Sequence, residues 1–115
     1  MVKMVLIGDQ IVNPNNIVSV DLDQGLAKRI WYEGSEKPVD IAAVVPGVAV
    51  MSALGPLGFV PIGDEIVNLE KIVSLDIDGP SVVRLWYVGA EAPVKIEPPV
   101  LAMAVLNELR AKALM

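Results

Sequence analysis

Two short stretches of this chain carry paired carboxylates. They are Asp21-x-Asp23 and Asp76-x-Asp78. Residues two apart on a strand share a face, so each pair could hold a hard cation such as Ca²⁺ or Mg²⁺. Neither pair comes with the further oxygen ligands or the glycine of a calcium loop. The favoured reading is therefore a solvated strand end, with the first aspartate paired to an arginine, and no metal. Close by stand Arg29-x-Trp31 and Arg84-x-Trp86. A cation and an indole on one outward face suit three roles. They can anchor a protein interface, where Trp and Arg are enriched. They can form a surface ion pair with Asp21 and Asp76. They can stack on the bases of a single-stranded nucleic acid. Ranked in that order, Arg29, Trp31, Arg84 and Trp86 are the candidate interaction residues.

Catalysis has little to work with. The 115 residues include no His and no Cys. That removes the usual general base, the usual zinc ligands and every thiolate or Ser-His-Asp nucleophile. Ser19 and Ser74 have no base partner; Lys28 and Lys71 fall on strand or turn surface. Asp9 and Asp64 follow a glycine and read as hairpin tips, and Asn13 and Asn68 read as caps of the next turn. No phosphate-binding glycine loop occurs. The expectation is a protein that is not an enzyme and needs no cofactor.

Charge narrows the partners. Fourteen acidic residues against nine basic ones leave a net charge of −5. An acidic chain lacks the field that phosphate backbones require, so nucleic acid is disfavoured. The uncharged stretch 41–63 is long enough to span a bilayer, but Pro46, Gly47, Gly55, Pro56, Gly58 and Pro61 interrupt it as a helix. The apolar run at 1–7 is short for a secretion signal. A soluble, cytoplasmic protein that stays off membranes is expected.

The elements that position these residues are written twice. Ile7-Gly8-Asp9-Gln10-Ile11-Val12-Asn13 returns as Ile62-Gly63-Asp64-Glu65-Ile66-Val67-Asn68, at an offset of 55. Held fixed, that offset gives 24 identities over the 50 positions 5–54. This is the signature of a tandem duplication. It divides the chain into a unit at 1–54, a Gly-Pro-rich connector at 55–58 and a second unit at 59–115.

Each unit reads as a meander followed by a helix. In the first, strands are expected at 2–7 and 10–13, joined by the Gly8-Asp9 turn. Asn13-Pro14-Asn15-Asn16 turns the chain. Residues 17–23 alternate, with Val18, Val20 and Leu22 expected inward and Ser19, Asp21 and Asp23 outward. Residues 27–33 form the partner, with Ile30 and Tyr32 inward. A shared outward parity sets Asp21 opposite Arg29 and Ser19 opposite Trp31, across a Gln24-Gly25-Leu26 loop. The same rule sets Asp76 opposite Arg84 and Ser74 opposite Trp86. A last strand spans 38–42, and a helix starts near Pro46. In the second unit the helix is expected at 99–113, opening at Pro99. Its first half, 100–106, is apolar all round, which predicts burial on more than one side. Pro61 takes the place of Leu6, so the first strand there should lie at a sheet edge or break.

The order of elements around Ile-Val-Asn-x-x-x-Ile-Val-Ser-x-Asp resembles the small open barrels grouped as Sm-like or SH3-like. These units close with a helix, where Sm-like domains open with one. The resemblance implies a β-barrel module, ring assembly, and an RNA-binding face against which the acidic charge speaks.

The reading is a mainly β chain of two small meander or barrel units related by a pseudo-two-fold. Units of about 50 residues bury too little surface to be stable alone. The aliphatic surplus therefore points to a shared core and to a homo-oligomer. The expected role is structural or protein-interacting; the alternative is an Sm-like nucleic-acid module using the Arg/Trp pairs.

Overall fold

The computed structural model describes residues 3–111, with only the backbone described at 97 and 98. Among the described residues, ten strands and two α-helices build a mainly β chain. The first half runs β1 (Val5–Ile7), β2 (Gln10–Val12), β3 (Ile17–Asp23), β4 (Leu26–Tyr32), β5 (Val39–Pro46) and α1 (Gly47–Leu54). The second runs β6 (Phe59–Ile62), β7 (Glu65–Asn68), β8 (Ile72–Asp78), β9 (Ser81–Tyr87), β10 (Val94–Leu101) and α2 (Ala102–Ala111). Asn13 and Asn68 each cap a short 3₁₀ turn, accepting from the backbone N–H of Asn15 and Glu70. Among the described residues the strands form three open sheets and none closes into a barrel.

Sheet order shows how the halves meet. The largest sheet has the order β5-β4-β3-β7-β6, so a hairpin of the second half extends the sheet of the first. Strand β7 pairs antiparallel with β3: Ser19 with Val67, Val20 with Ile66, Asp21 with Glu65. The β1–β2 hairpin stands as a separate two-stranded sheet, and β10-β9-β8 form the third. Pro61 lies in β6, the edge strand, where its missing N–H leaves no ladder bond unmade.

The register follows the expected pairing at both candidate clusters. Asp21 faces Arg29 and Ser19 faces Trp31; Asp76 faces Arg84 and Ser74 faces Trp86. The connection differs from the expected three-residue loop. Gln24 and Gly25 alone form the turn, both at positive φ, and Lys28 is an extra residue that restores the register as a bulge.

Two hydrophobic clusters hold the chain, and they trade residues. The first gathers Ile17, Val20, Ile30, Ile41, Val50 and Leu54 with Phe59 and Ile66 from the second half. The second gathers Val60, Ile62, Val67, Leu85, Ile96 and Val105, with Val18 packed against it. The β6–β7 hairpin thus buries both faces, Phe59 and Ile66 in one cluster and Val60, Ile62 and Val67 in the other. That overturns the expected alternation on β3. A register shift between Ile17 and Ser19 turns Val18 toward the second cluster, while Ser19 is buried beneath the second half.

Helix α1 opens at Gly47, beside Pro46 as expected, whereas α2 opens later than expected. Strand β5 continues to Pro46, which caps α1 in extended conformation. Strand β10 continues through Pro99 to Leu101, carrying its prolines at a register shift between Lys95 and Val100. Pro is tolerated there because β10 is an edge strand. Helix α2 then opens at Ala102, and its expected end at 113 lies outside the described residues, as does the start of the first strand at residue 2. The expected burial of 100–106 does not occur. Leu101, Met103 and Ala104 are exposed and Val105 alone is buried, because within one chain only one side of α2 meets the sheets. No helix among the described residues is long and apolar enough to cross a membrane.

Candidate functional site

Pairing of β3 with β4 brings three sequence-identified residues onto one carboxylate. The Trp31 indole Nε1 donates to Asp21 Oδ2 at 3.0 Å, and Arg29 Nε lies 3.4 Å from the same oxygen. The second half repeats the cluster. Trp86 Nε1 donates to Asp76 Oδ2 at 2.9 Å and Arg84 Nε donates to it at 3.0 Å. In each cluster the aspartate anchors the indole and offsets the guanidinium. With both arginines about half exposed, each ion pair contributes under about 1 kcal/mol. The indole bond, partly buried, is the stronger tie.

Those bonds use the carboxylates. Asp21 and Asp76 are turned to their own arginine and indole; Asp23 and Asp78 are exposed at the strand ends beyond. Among the described residues, no three His, Cys, Asp or Glu side chains converge to hold a metal.

The first cluster lines a groove of about 750 Å³, and the second does not. Asp21, Arg29 and Trp31 line it together with Glu65, Tyr87 and Lys95. The four candidate interaction residues therefore fall on two surfaces. Arg29 and Trp31 face the junction between the halves. Arg84 and Trp86 face outward from the small sheet.

Two residues of the groove escaped the sequence reading. Glu65 is buried opposite Asp21. Burial first, then the nearby Asp21 and Asp64 carboxylates, raise its carboxyl from 4.5 to about 8. It stands protonated at neutral pH, a hydrogen-bond donor beside two acceptors. Tyr87 is also buried, and burial raises its phenol further above the ordinary value. Its hydroxyl has no hydrogen-bond partner among the described residues, although Glu65 and Ser19 stand beside it. A signal for Glu65 was present in the sequence. It replaces the neutral Gln10 of the first unit inside an otherwise apolar strand.

The groove joins a neutral acid, a buried phenol and a Trp–Arg pair held on one carboxylate. It works as a polar seam between halves. No family model, no curated protein and no solved structure matches this chain.

Proposed function

We propose that this chain is a non-catalytic structural or protein-interaction module that assembles as a homo-oligomer from tandem copies of one small unit. The observation that carries the reading is the distribution of exposed aliphatic side chains. Leu6, Ile11, Val73 and Ile77 are exposed on strands of the two smaller sheets, and Val44 and Val48 are exposed on β5 and α1. Exposed apolar strands of this kind are what a protein covers with another chain. The internal repeat supports the same reading, because a unit that already packs on its own copy carries a surface for packing on others. So does the lack of His, Cys and any paired nucleophile. Location in the cytoplasm, away from membranes, goes with this proposal.

The nucleic-acid alternative draws on the resemblance to Sm-like modules and on the Arg29/Trp31 and Arg84/Trp86 pairs. Each of those arginines lies against an aspartate, which opposes phosphate at the contact itself. The interaction reading is therefore preferred. Sedimentation velocity over a concentration series tests it. Species heavier than one 12.3 kDa chain at micromolar concentration are expected. A single 12.3 kDa species throughout contradicts it.

A further inference from the structure

Residues related by the offset of 55 sit in very unequal surroundings where the β6–β7 hairpin meets β3. Ile66 and Phe59 are 0% and 1% exposed, whereas their equivalents Ile11 and Met4 are 70% and 52% exposed. On the other side of the pairing, Val20 and Ile17 are fully buried while their equivalents Leu75 and Ile72 are only half-buried. Val73 and Ile77 on the same strand are 66% and 60% exposed. Every one of these differences has the same source. The β6–β7 hairpin lies on the edge of β3, and among the described residues no hairpin lies on the edge of β8. Among the described residues the β1–β2 hairpin pairs with no strand of another sheet, although Ile7 and Val12 pack in the first cluster.

We propose that the β8 edge takes the β1–β2 hairpin of a second copy of this chain, in the register by which β3 takes β7 within the chain. The register sets Val12 opposite Ser74, Ile11 opposite Leu75 and Gln10 opposite Asp76. Met4 and Ile11 then enter the second hydrophobic cluster as Phe59 and Ile66 enter the first. This rests on the reading of the chain as an assembling module and names its contact surface.

Polar groups at the edge fit the same docking. Across the internal junction the Asn68 amide donates to the Ile17 carbonyl at 2.9 Å. Asn13 makes the same cap with its carbonyl, yet its amide hydrogens have no partner among the described residues. The Ile72 carbonyl of another chain is the equivalent acceptor. The Leu22 N–H donates to the Asp64 carbonyl at 2.8 Å across the internal junction. Ile77 and Asp9 are the equivalent pair. Charge also suits it. The internal junction sets two acids opposite each other, Asp21 and Glu65. The junction between chains sets Asp76 opposite the neutral Gln10, so the directly paired acids of the internal junction are not repeated.

The contact is head-to-tail, using different surfaces on each partner, so it builds a closed ring or an open filament. The hairpin of a chain does not reach its own β8 edge. A ring therefore needs at least two chains.

Cysteine pairing tests the register directly, since the native chain has no Cys. Ile11→Cys and Leu75→Cys chains are purified separately, mixed and oxidised. A disulfide-linked dimer is expected in the mixture and in neither variant alone. The same mixture made with Leu6→Cys in place of Ile11→Cys should link at least tenfold less. Ile11→Asp is the second arm. Its side chain is exposed within the chain, so thermal unfolding of the single chain stays close to native while the assembly dissociates. If the native chain assembles but neither Ile11→Asp nor Ile77→Asp weakens it, and no link forms, this contact is overturned while the assembly reading stands. If the native chain is monomeric throughout, both are overturned.

Discussion

Glu65 on β7 stands directly opposite Asp21 on β3, a buried acid facing the carboxylate that anchors Trp31 and Arg29. The pair sits at the seam between the halves. Its proton therefore couples pH to the joint that holds the chain together.

Stability should fall as pH rises across the neutral range. Glu65 holds its proton to about 8 when folded, against 4.5 as the ordinary value. Between those values the folded chain binds a proton that the unfolded chain has lost. Its contribution is complete below about pH 4.5 and is lost as pH climbs through about 8. The loss is on the order of a few kcal/mol. Urea unfolding at pH 5, 7 and 9 reads it. Glu65→Gln should flatten the profile and leave the variant more stable than native at pH 9. A native profile that is flat or rises with pH contradicts the account.

Breaking the aspartate anchors should weaken each half by a similar amount. Asp21→Ala strands the Trp31 indole N–H, which is partly buried, and Asp76→Ala strands that of Trp86. About 1–2 kcal/mol is expected for each. Arg29→Ala and Arg84→Ala, at half-exposed ion pairs, should lose under about 1 kcal/mol. Unfolding midpoints of the four variants check the order.

The hairpin turn of the first half offers a stabilising change. Gln24 adopts φ +52° ahead of Gly25 at +79°. A long side chain is disfavoured in that left-handed region, whereas Asn-Gly suits it. Gln24→Asn should raise stability by about 0.5–1 kcal/mol, read as a melting point a few degrees higher.

Equivalent positions should respond unequally to truncation. Phe59→Ala empties a site in the first cluster and should destabilise by about 3–5 kcal/mol. Met4→Ala removes an exposed side chain and should leave the unfolding of a single chain within about 0.5 kcal/mol. Its effect should appear in assembly, as a weaker association by sedimentation.

What the sequence disclosed was mostly local. Asp21 opposite Arg29 follows from face parity along adjacent strands, and the bulge at Lys28 leaves it intact. The edge position of the strand bearing Pro61 follows from the missing N–H. The junction was not legible in the same way. Pairing of β7 with β3 joins segments some 45 residues apart, and no periodicity encodes which edge a hairpin will choose. Val18 shows the consequence. Alternation assigns it to the face of Val20, but a register shift and a second cluster beyond the sheet turn it the other way. Pro99 misled for a related reason. Pro opens a helix well, but an edge strand tolerates it too, and the strand prevailed. Glu65 drew no attention because its meaning depends on burial, which the second half creates.

At the edge of β8 one amide reports on the contact between chains. Leu22 N–H is bonded across the internal junction, and Ile77 N–H is its equivalent on the open edge. Hydrogen exchange of Ile77, followed at micromolar concentration and after dilution, tests whether a second chain covers it. Exchange slowed toward that of Leu22 when concentrated, and released by dilution or by Ile11→Asp, is the predicted result. Free exchange of Ile77 at every concentration would contradict it.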